Sequence, residues 1–435
     1  MRAARSELAY FSPQFIESDI HREFIREITP VSAIQHGCSL EFDIQPSDLL
    51  AVDLSKSYLY VTIQLLKADD TKPEDSVEIS TINLPAHTMF SQLDVELSGQ
   101  KISDSNTLSG YRSMLETLLS YDKNVQETEL QKSLWYKDTA DHMKAFNTKG
   151  NTATNLGLKA RAEYFKAGAE VELIGRPHGD IFNQPLAIPP KVPIKLRFVP
   201  AHDDFVIVTP APEGNAAQVK YKVKIVSAKM YIYTLELTPS VQLEITHHLQ
   251  KQNIVIPLIR NTMKYLAISS AQTANLFEGV FRGQLPDRIV LGLVTDSAMT
   301  GGYQENPFNF QHFNLNYLTL NVNGENLPNR PFTPDFTNKK YLREYYSMFE
   351  GLEIQNSAKS INISRDEYAK GYTLFVFDLR SGPNSTGALA ATKTGDVRLE
   401  LKFSTATTTT INCLVYAEFN TFIEIDKHHN VITPF

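Results

Sequence analysis

The sequence predicts an all-β protein of two tandem antiparallel sandwiches, with short helices confined to connecting loops. Three observations carry this. First, an alternating run occurs twice: Phe90-Ser-Gln-Leu93-Asp-Val95-Glu-Leu97 stops at Ser98-Gly99, and Leu318-Thr-Leu320-Asn-Val322-Asn323 stops at Gly324. Side chains alternate faces with period two and Gly supplies positive φ, so each run is a half-buried strand entering a tight turn. Second, a short apolar-faced helix follows each. Tyr111, Met114, Leu115, Leu118 and Leu119 fall at i, i+3, i+4, i+7 and i+8; Tyr341, Tyr345, Met348 and Phe349 repeat that spacing with one gap. Third, Val192-Pro-Ile194-Lys-Leu196-Arg-Phe198 is answered by Val397-Arg-Leu399-Glu-Leu401-Lys-Phe403. Many short strands, few helices and no βαβ alternation mean antiparallel sandwiches, and the repeat makes two.

A chain of 435 residues is too long for one core and suits two domains. We expect an arm over residues 1–33, a first sandwich over 34–245 and a second over 246–435. In the arm, Phe15, Ile16, Ile20, Phe24, Ile25 and Ile28 stand among charged residues. They suit either a helix started by Ser12-Pro13 or an extended segment ending at Thr29-Pro30, and in both cases need an apolar partner. From Cys38 the strands come quickly: Cys38, Leu40, Phe42 and Ile44 alternate, Asp53-Leu-Ser-Lys reads as a turn, and Tyr58 to Leu66 is β-branched and aromatic. Asp69-Asp70 to Asp75, with Pro73, is a solvated loop.

The longest interruption is about residues 122 to 165, holding the one tryptophan in Leu134-Trp135-Tyr136-Lys-Asp-Thr. Loops this long are usually functional or interaction elements. Strands resume at Val171–Ile174, Ile194–Val199, Phe205–Val208 and Tyr221–Leu237, punctuated by Pro189-Pro190 and Pro210-Ala-Pro212. In the second half Arg288–Val294 answers the Tyr58 strand at a shift of about 230 residues (288 − 58). By Val397 the shift has dropped to 205 (397 − 192), so the first half carries the longer insertion.

Composition excludes several classes. A hydrophobic share of 42% with 21% charged residues is that of a globular chain. The net charge of −7 argues against a surface dedicated to coating nucleic acid. Cys38 and Cys413 are the two cysteines, too few for a disulfide framework, and are expected to be reduced and buried. Arg2 and Arg5 have no apolar run behind them, so no secretion signal is expected, and nothing approaches the ~20 apolar residues of a membrane span.

No motif for catalysis, cofactor or metal is found. His247-His248 and His428-His429 are adjacent pairs, and neighbours on a strand point to opposite faces. His202-Asp203-Asp204 reads as a solvated turn and Met299-Thr-Gly301-Gly302-Tyr303 as a flexible loop, although the latter superficially fits the cleavage preference of adenovirus-like maturation proteases. Glu172 and Asp180 would meet only by tertiary accident. Asn362-Ile-Ser and Asn384-Ser-Thr are sequons that matter only in a secretory pathway. Two readings from other classes stay open: a two-sandwich hydrolase, needing converging acids in a cleft, and a glycan-binding module using exposed aromatics.

Several blocks in order resemble the major capsid protein of Polinton/Maverick elements and adintoviruses, and the hexon-like protein of adomaviruses. They are Tyr58-Leu-Tyr-Val, Phe90 to Gly99, Tyr111-Arg-Ser-Met-Leu-Glu-Thr-Leu-Leu, Leu134-Trp-Tyr-Lys-Asp-Thr and Leu414-Val-Tyr-Ala-Glu-Phe with Ile423-Glu-Ile-Asp. The likeness runs from Ser6-Glu-Leu onward. Ser98-Gly99 departs from an expected Asn-Gly, and Ser suits a type I′ turn poorly, so another turn type is anticipated. The resemblance implies a double jelly roll that forms homotrimers. Their pseudo-hexagonal capsomers would tile an icosahedral shell around double-stranded DNA, assembled in the nucleus of a eukaryotic host. Implied partners are further copies of the chain and minor or penton capsid proteins, with no sequence-specific nucleic-acid binding and no cofactor. Subunit contacts would then fall to Phe15, Ile16, Phe24, Ile25, Trp135 and Tyr136. For Trp135 and Tyr136 the competing reading is that they close a loop over their own sandwich.

Overall fold

A computed structural model describes residues 19–103, 106–150, 153–212, 214, 217–380 and 393–434. The first half supplies β1 (Ile20–Ile28), β2 (Leu40–Ile44), β3 (Leu50–Lys67), β4 (Phe90–Leu97), β5 (Gln100–Lys101), β6 (Glu170–Gly175), β7 (Ile194–Pro200) and β8 (Tyr221–Leu237). The second supplies β9 (Ile254–Ile268), β10 (Ala274–Gln284), β11 (Arg288–Thr295), β12 (Leu315–Val322), β13 (Glu325–Phe332), β14 (Leu374–Asp378), β15 (Thr394–Phe403) and β16 (Ile411–Ile425). All pair antiparallel. The first half forms sheets ordered β1-β8-β3-β6 and β2-β7-β4-β5, and the second β9-β16-β11-β14 and β10-β15-β12-β13. Each strand therefore has its counterpart eight places later in the same neighbourhood. The three echoes read in the sequence map onto β3/β11, β4/β12 and β7/β15. Helices α1 (Ser109–Ser120) and α4 (Leu342–Gly351) follow β5 and β13, as the apolar spacing requires.

Both hairpins that punctuate the echo are type I′. Ser98 and Gly99 have φ of 49° and 77°, Asn323 and Gly324 54° and 92°, and each pair of flanking strands closes directly across the turn. Ser98 thus adopts the turn its residue type disfavours. Its hydroxyl donates to the His429 carbonyl at 2.6 Å, a contact from the second half that compensates.

Three apolar cores result. One fills the first sandwich and includes Phe42, Val61, Val95, Leu196 and Met230; another fills the second and includes Leu291, Leu320, Phe375, Leu399 and Val415. A third lies between them, joining Tyr111, Met114, Leu118 and Trp135 of the first half to Val290, Phe308, Tyr368, Leu414 and Tyr416 of the second. Strand β16 separates two of these. Ile411, Cys413, Val415 and Ala417 face the second sandwich, while Leu414 and Tyr416 face the middle core. Burial on both sides is why this stretch is apolar without alternation.

The structure departs from some expectations and decides between others. Ile20–Ile28 of the expected arm is extended and pairs with β8 over its length, while Phe15, Ile16 and the Ser12-Pro13 start lie outside the described residues, as does Asn384. Asp53-Leu-Ser-Lys does not end a strand: β3 runs through it with residues 54–57 bulged, and Asp53 Oδ1 accepts from the Ser55 amide and hydroxyl at 3.0 and 2.6 Å. Asp203–Val206 is a helical turn, and only Ile207–Val208 pairs, with Ser80–Thr81. His247 and His248, weighed above as strand neighbours, lie on helix α3 (Pro239–Leu249), whose first turn holds Pro239. The expected division at residue 246 falls inside this helix, which connects β8 to β9. Cys413 is buried, and burial pushes its thiol up to about 12; Cys38 is exposed. The described residues of the stretch 122–165 include helical turns at Lys123–Gln126 and Glu129–Ser133 and helix α2 (Leu156–Tyr164), so it is not a plain loop.

Candidate functional site

Two features stand out once the sandwiches are in place: a polar clamp inside the seam, and apolar side chains on outer strand edges. The clamp has two parts. On the apolar helix α1, Arg112 and Glu116 sit one turn apart, their side chains 9% and 11% exposed, with Arg112 Nε donating to Glu116 Oε1 at 2.8 Å. Arg112 Nη2 lies 2.8 Å from Asp180 Oδ1 and His178 Nδ1 2.5 Å from Glu116 Oε2. The second half closes the cluster. Asn261 donates its amide to Asp180 at 3.1 Å and its side chain to Glu116 at 3.0 Å; Tyr416 Oη donates to Glu418 at 3.2 Å, and Arg288 pairs with Glu418 at 2.7 Å.

The electrostatics follow from geometry. Burial alone would raise the Glu116 pKa, but Arg112 and His178 outweigh it and hold the carboxyl down to about 2. Burial raises Asp180, whose Oδ2 has no hydrogen-bond partner, so in this cluster Asp180 is the weaker acid. His87 stands edge-on to His178 at 4.7 Å, and burial lowers its pKa well below 6.5.

The second part of the clamp is built by the 122–165 stretch. Arg161, 1% exposed, pairs with Asp138 at 2.8 Å and donates to the carbonyls of Thr81 and Tyr136 at 3.0 and 2.6 Å. Tyr372 Oη and Asn306 Nδ2, both from the second half, donate to the Asp138 carbonyl and carboxylate at 2.6 and 3.3 Å. Lys137 reaches Glu367 at 2.7 Å and the Asn362 carbonyl at 2.5 Å. The insertions of the two sandwiches thus grip each other.

Trp135 belongs to that grip. It is 2% exposed within the middle core, so no surface remains for a neighbouring subunit, and the reading in which it closes over its own chain is the one this placement favours. Tyr136 is half-buried, its hydroxyl 2.7 Å from that of Tyr164, which is 47% exposed. Phe24 is half-buried under the Arg22 guanidinium, and Ile25 is exposed on β1. Sequence reasoning missed the exposed face of β9, where Val255, Ile259 and Tyr265 are each about half exposed. β1 and β9 are counterpart edge strands, whose free backbone groups and apolar side chains suit contact with other chains. The clamp was also missed, although charged Arg112 and Glu116 at i, i+4 in an apolar helix are a visible sign of it.

Geometry for catalysis does not assemble from the sequence candidates. Glu172 lies exposed on β6, beside Tyr60, whereas Asp180 is buried against Arg112. The Met299–Tyr303 stretch is tied down, Gly302 donating to the Asp204 carbonyl at 2.8 Å and Tyr303 Oη to that of Tyr221 at 3.1 Å. Among the described residues no group of three or more His, Cys, Asp or Glu is placed to hold a metal ion, and no helix is long and apolar enough to cross a membrane.

Paired sheets of this order, repeated in tandem, define a double jelly roll, the architecture of a class of icosahedral capsid proteins. No protein-family model matches the chain. It is similar to a chain of the Sputnik virophage (TM-score 0.67, 9% identity, 100% of this chain and 93% of that one). It is also similar to the mavirus major capsid protein (0.55, 12%, 99% and 95%) and to the Faustovirus major capsid protein (0.53, 8%, 97% and 94%). An uncharacterized protein of Caenorhabditis elegans is 23% identical over 416 residues, covering 92% of this chain and 94% of its own length. The chain has the double jelly-roll fold of these capsid proteins.

Proposed function

We propose that this chain is the major capsid protein of a virus or virus-like element, working by self-assembly rather than by catalysis. The carrying observation is the repeated strand order of two sandwiches locked by a common core and clamp. Such a chain is a rigid pair of similar wedges, and three of them approximate six-fold packing. The finer reading is a homotrimeric, pseudo-hexagonal capsomer tiling an icosahedral shell around double-stranded DNA, with minor or penton capsid proteins as partners. The division near residue 246 belongs to it, as do nuclear assembly and kinship with Polinton/Maverick elements, adintoviruses and adomaviruses. A nematode relative over nearly the whole length supports an element resident in animal genomes.

The exposed faces of β1 and β9 are proposed as subunit contacts, with Ile25 on one and Ile259 and Tyr265 on the other, while Phe24 points to the opposite, half-buried face of β1. A standard protein contact buries about 1,600 Å². Filling of the seam by packed side chains speaks against a hydrolase, which needs converging acids in an open cleft. The test is light scattering and electron microscopy of the purified chain: a stable trimer with hexagonal outline is expected, and Ile259→Asp with Tyr265→Asp should leave a folded monomer. A strict monomer of the unmodified chain at micromolar concentration would defeat the proposal.

A further inference from the structure

Helix α3 joins the two sandwiches, yet of its residues only Leu249 is buried. Its face carrying Val241, Ile245 and Leu249 overlooks a groove of about 730 Å³, floored by β8 and β9 and bounded by the Leu186–Pro190 loop. That volume lies within the about 300–1,000 Å³ of pockets that enclose ligands or side chains. On the rim, Leu186 and Val255 are 45% and 49% exposed.

The course of the chain at Asp19 bears on what occupies the groove. Asp19 lines this groove, and its carbonyl accepts from the Thr238 amide at 3.1 Å, at the N-terminal end of α3. The eighteen residues before it carry Leu8, Tyr10, Phe11, Phe15 and Ile16. Ile16 is three residues from Asp19 and so at most about 10 Å of extended chain away. A tethered segment also meets its site at an effective concentration of order millimolar, which a free partner must exceed.

We infer that the groove under α3 is the docking site of this chain's own N-terminal segment, with Phe15 and Ile16 as its apolar anchors. This does not depend on the capsid reading. Cross-linking tests it: in a Cys38→Ser background, Ile16→Cys is combined with Ile245→Cys, or with Leu342→Cys as a distant exposed control, and isotopically heavy and light chains are mixed before mild oxidation. The expected product is an intrachain 16–245 disulfide at least tenfold above the control. Yields equal to the control, or disulfides joining heavy to light chains, would overturn the assignment, the latter by making a second copy the occupant. Independently, Phe15→Asp with Ile16→Asp should raise the fluorescence of an apolar dye several-fold by opening the groove; unchanged fluorescence would also count against it.

Discussion

Replacing Glu116 with Gln tests whether the clamp holds the two sandwiches together. The carboxylate accepts from Arg112 at 2.8 Å, Asn261 at 3.0 Å and His178 at 2.5 Å, with its side chain 11% exposed. Holding its pKa at about 2 rather than 4.5 corresponds to ~3 kcal/mol of preference for the folded state, at ~1.4 kcal/mol per pH unit. Breaking a buried pair by removing one partner costs ~3–5 kcal/mol. Arg112 would keep Asp180, so we expect the lower end, ~3 kcal/mol at pH 7. The sign with pH is set by the lowered pKa: this contribution is fully present above about 4.5 and is lost as pH falls towards about 2. Gln has nothing to titrate, so the gap between wild type and Glu116→Gln should narrow from pH 5 to pH 3. The assay is urea unfolding followed by Trp135 fluorescence, since the one tryptophan lies in the middle core. A loss under ~1 kcal/mol at pH 7, or a gap that stays constant with pH, would refute the reasoning.

Two other perturbations separate core from surface. Trp135→Ala should destabilise by ~3–5 kcal/mol, as large aromatic truncations do, while any folded fraction keeps the oligomeric mass of the wild type; a lower mass with unchanged melting would return Trp135 to a subunit contact. Burial lowers the pKa of His87 and of His312, so each contributes stability that is present above about 6.5 and lost as pH falls below it. Melting should therefore drop between pH 7.5 and pH 5.5, and His87→Gln should flatten that drop; equal slopes for the two proteins would remove His87 from the account.

The surfaces were less legible than the cores. Phe24, Ile25, Trp135 and Tyr136 were all nominated by being aromatic or aliphatic in segments without an obvious home. Only Ile25 is plainly exposed, because a segment's exposure depends on what packs over it, and that comes from distant parts of the chain. Val255, Ile259 and Tyr265 escaped notice because an edge strand and a central strand can share one apolar pattern. His247 and His248 were weighed as strand neighbours, whereas they lie on a helix whose first turn holds Pro239.

The sequence alone determined what depends on near neighbours along the chain: strand faces from period-two alternation, the two helices from their apolar spacing, the glycine turns, and the internal repeat that forces two similar sandwiches. Tertiary structure decided what depends on residues hundreds of positions apart. It paired Ile20–Ile28 with β8, folded the 122–165 stretch against the second half, and brought Glu116 to Asn261 and Asp138 to Tyr372. Local periodicity reports that a side chain will be buried. Which chain segment buries it is set by the packing of whole sheets, and no window of sequence contains both partners.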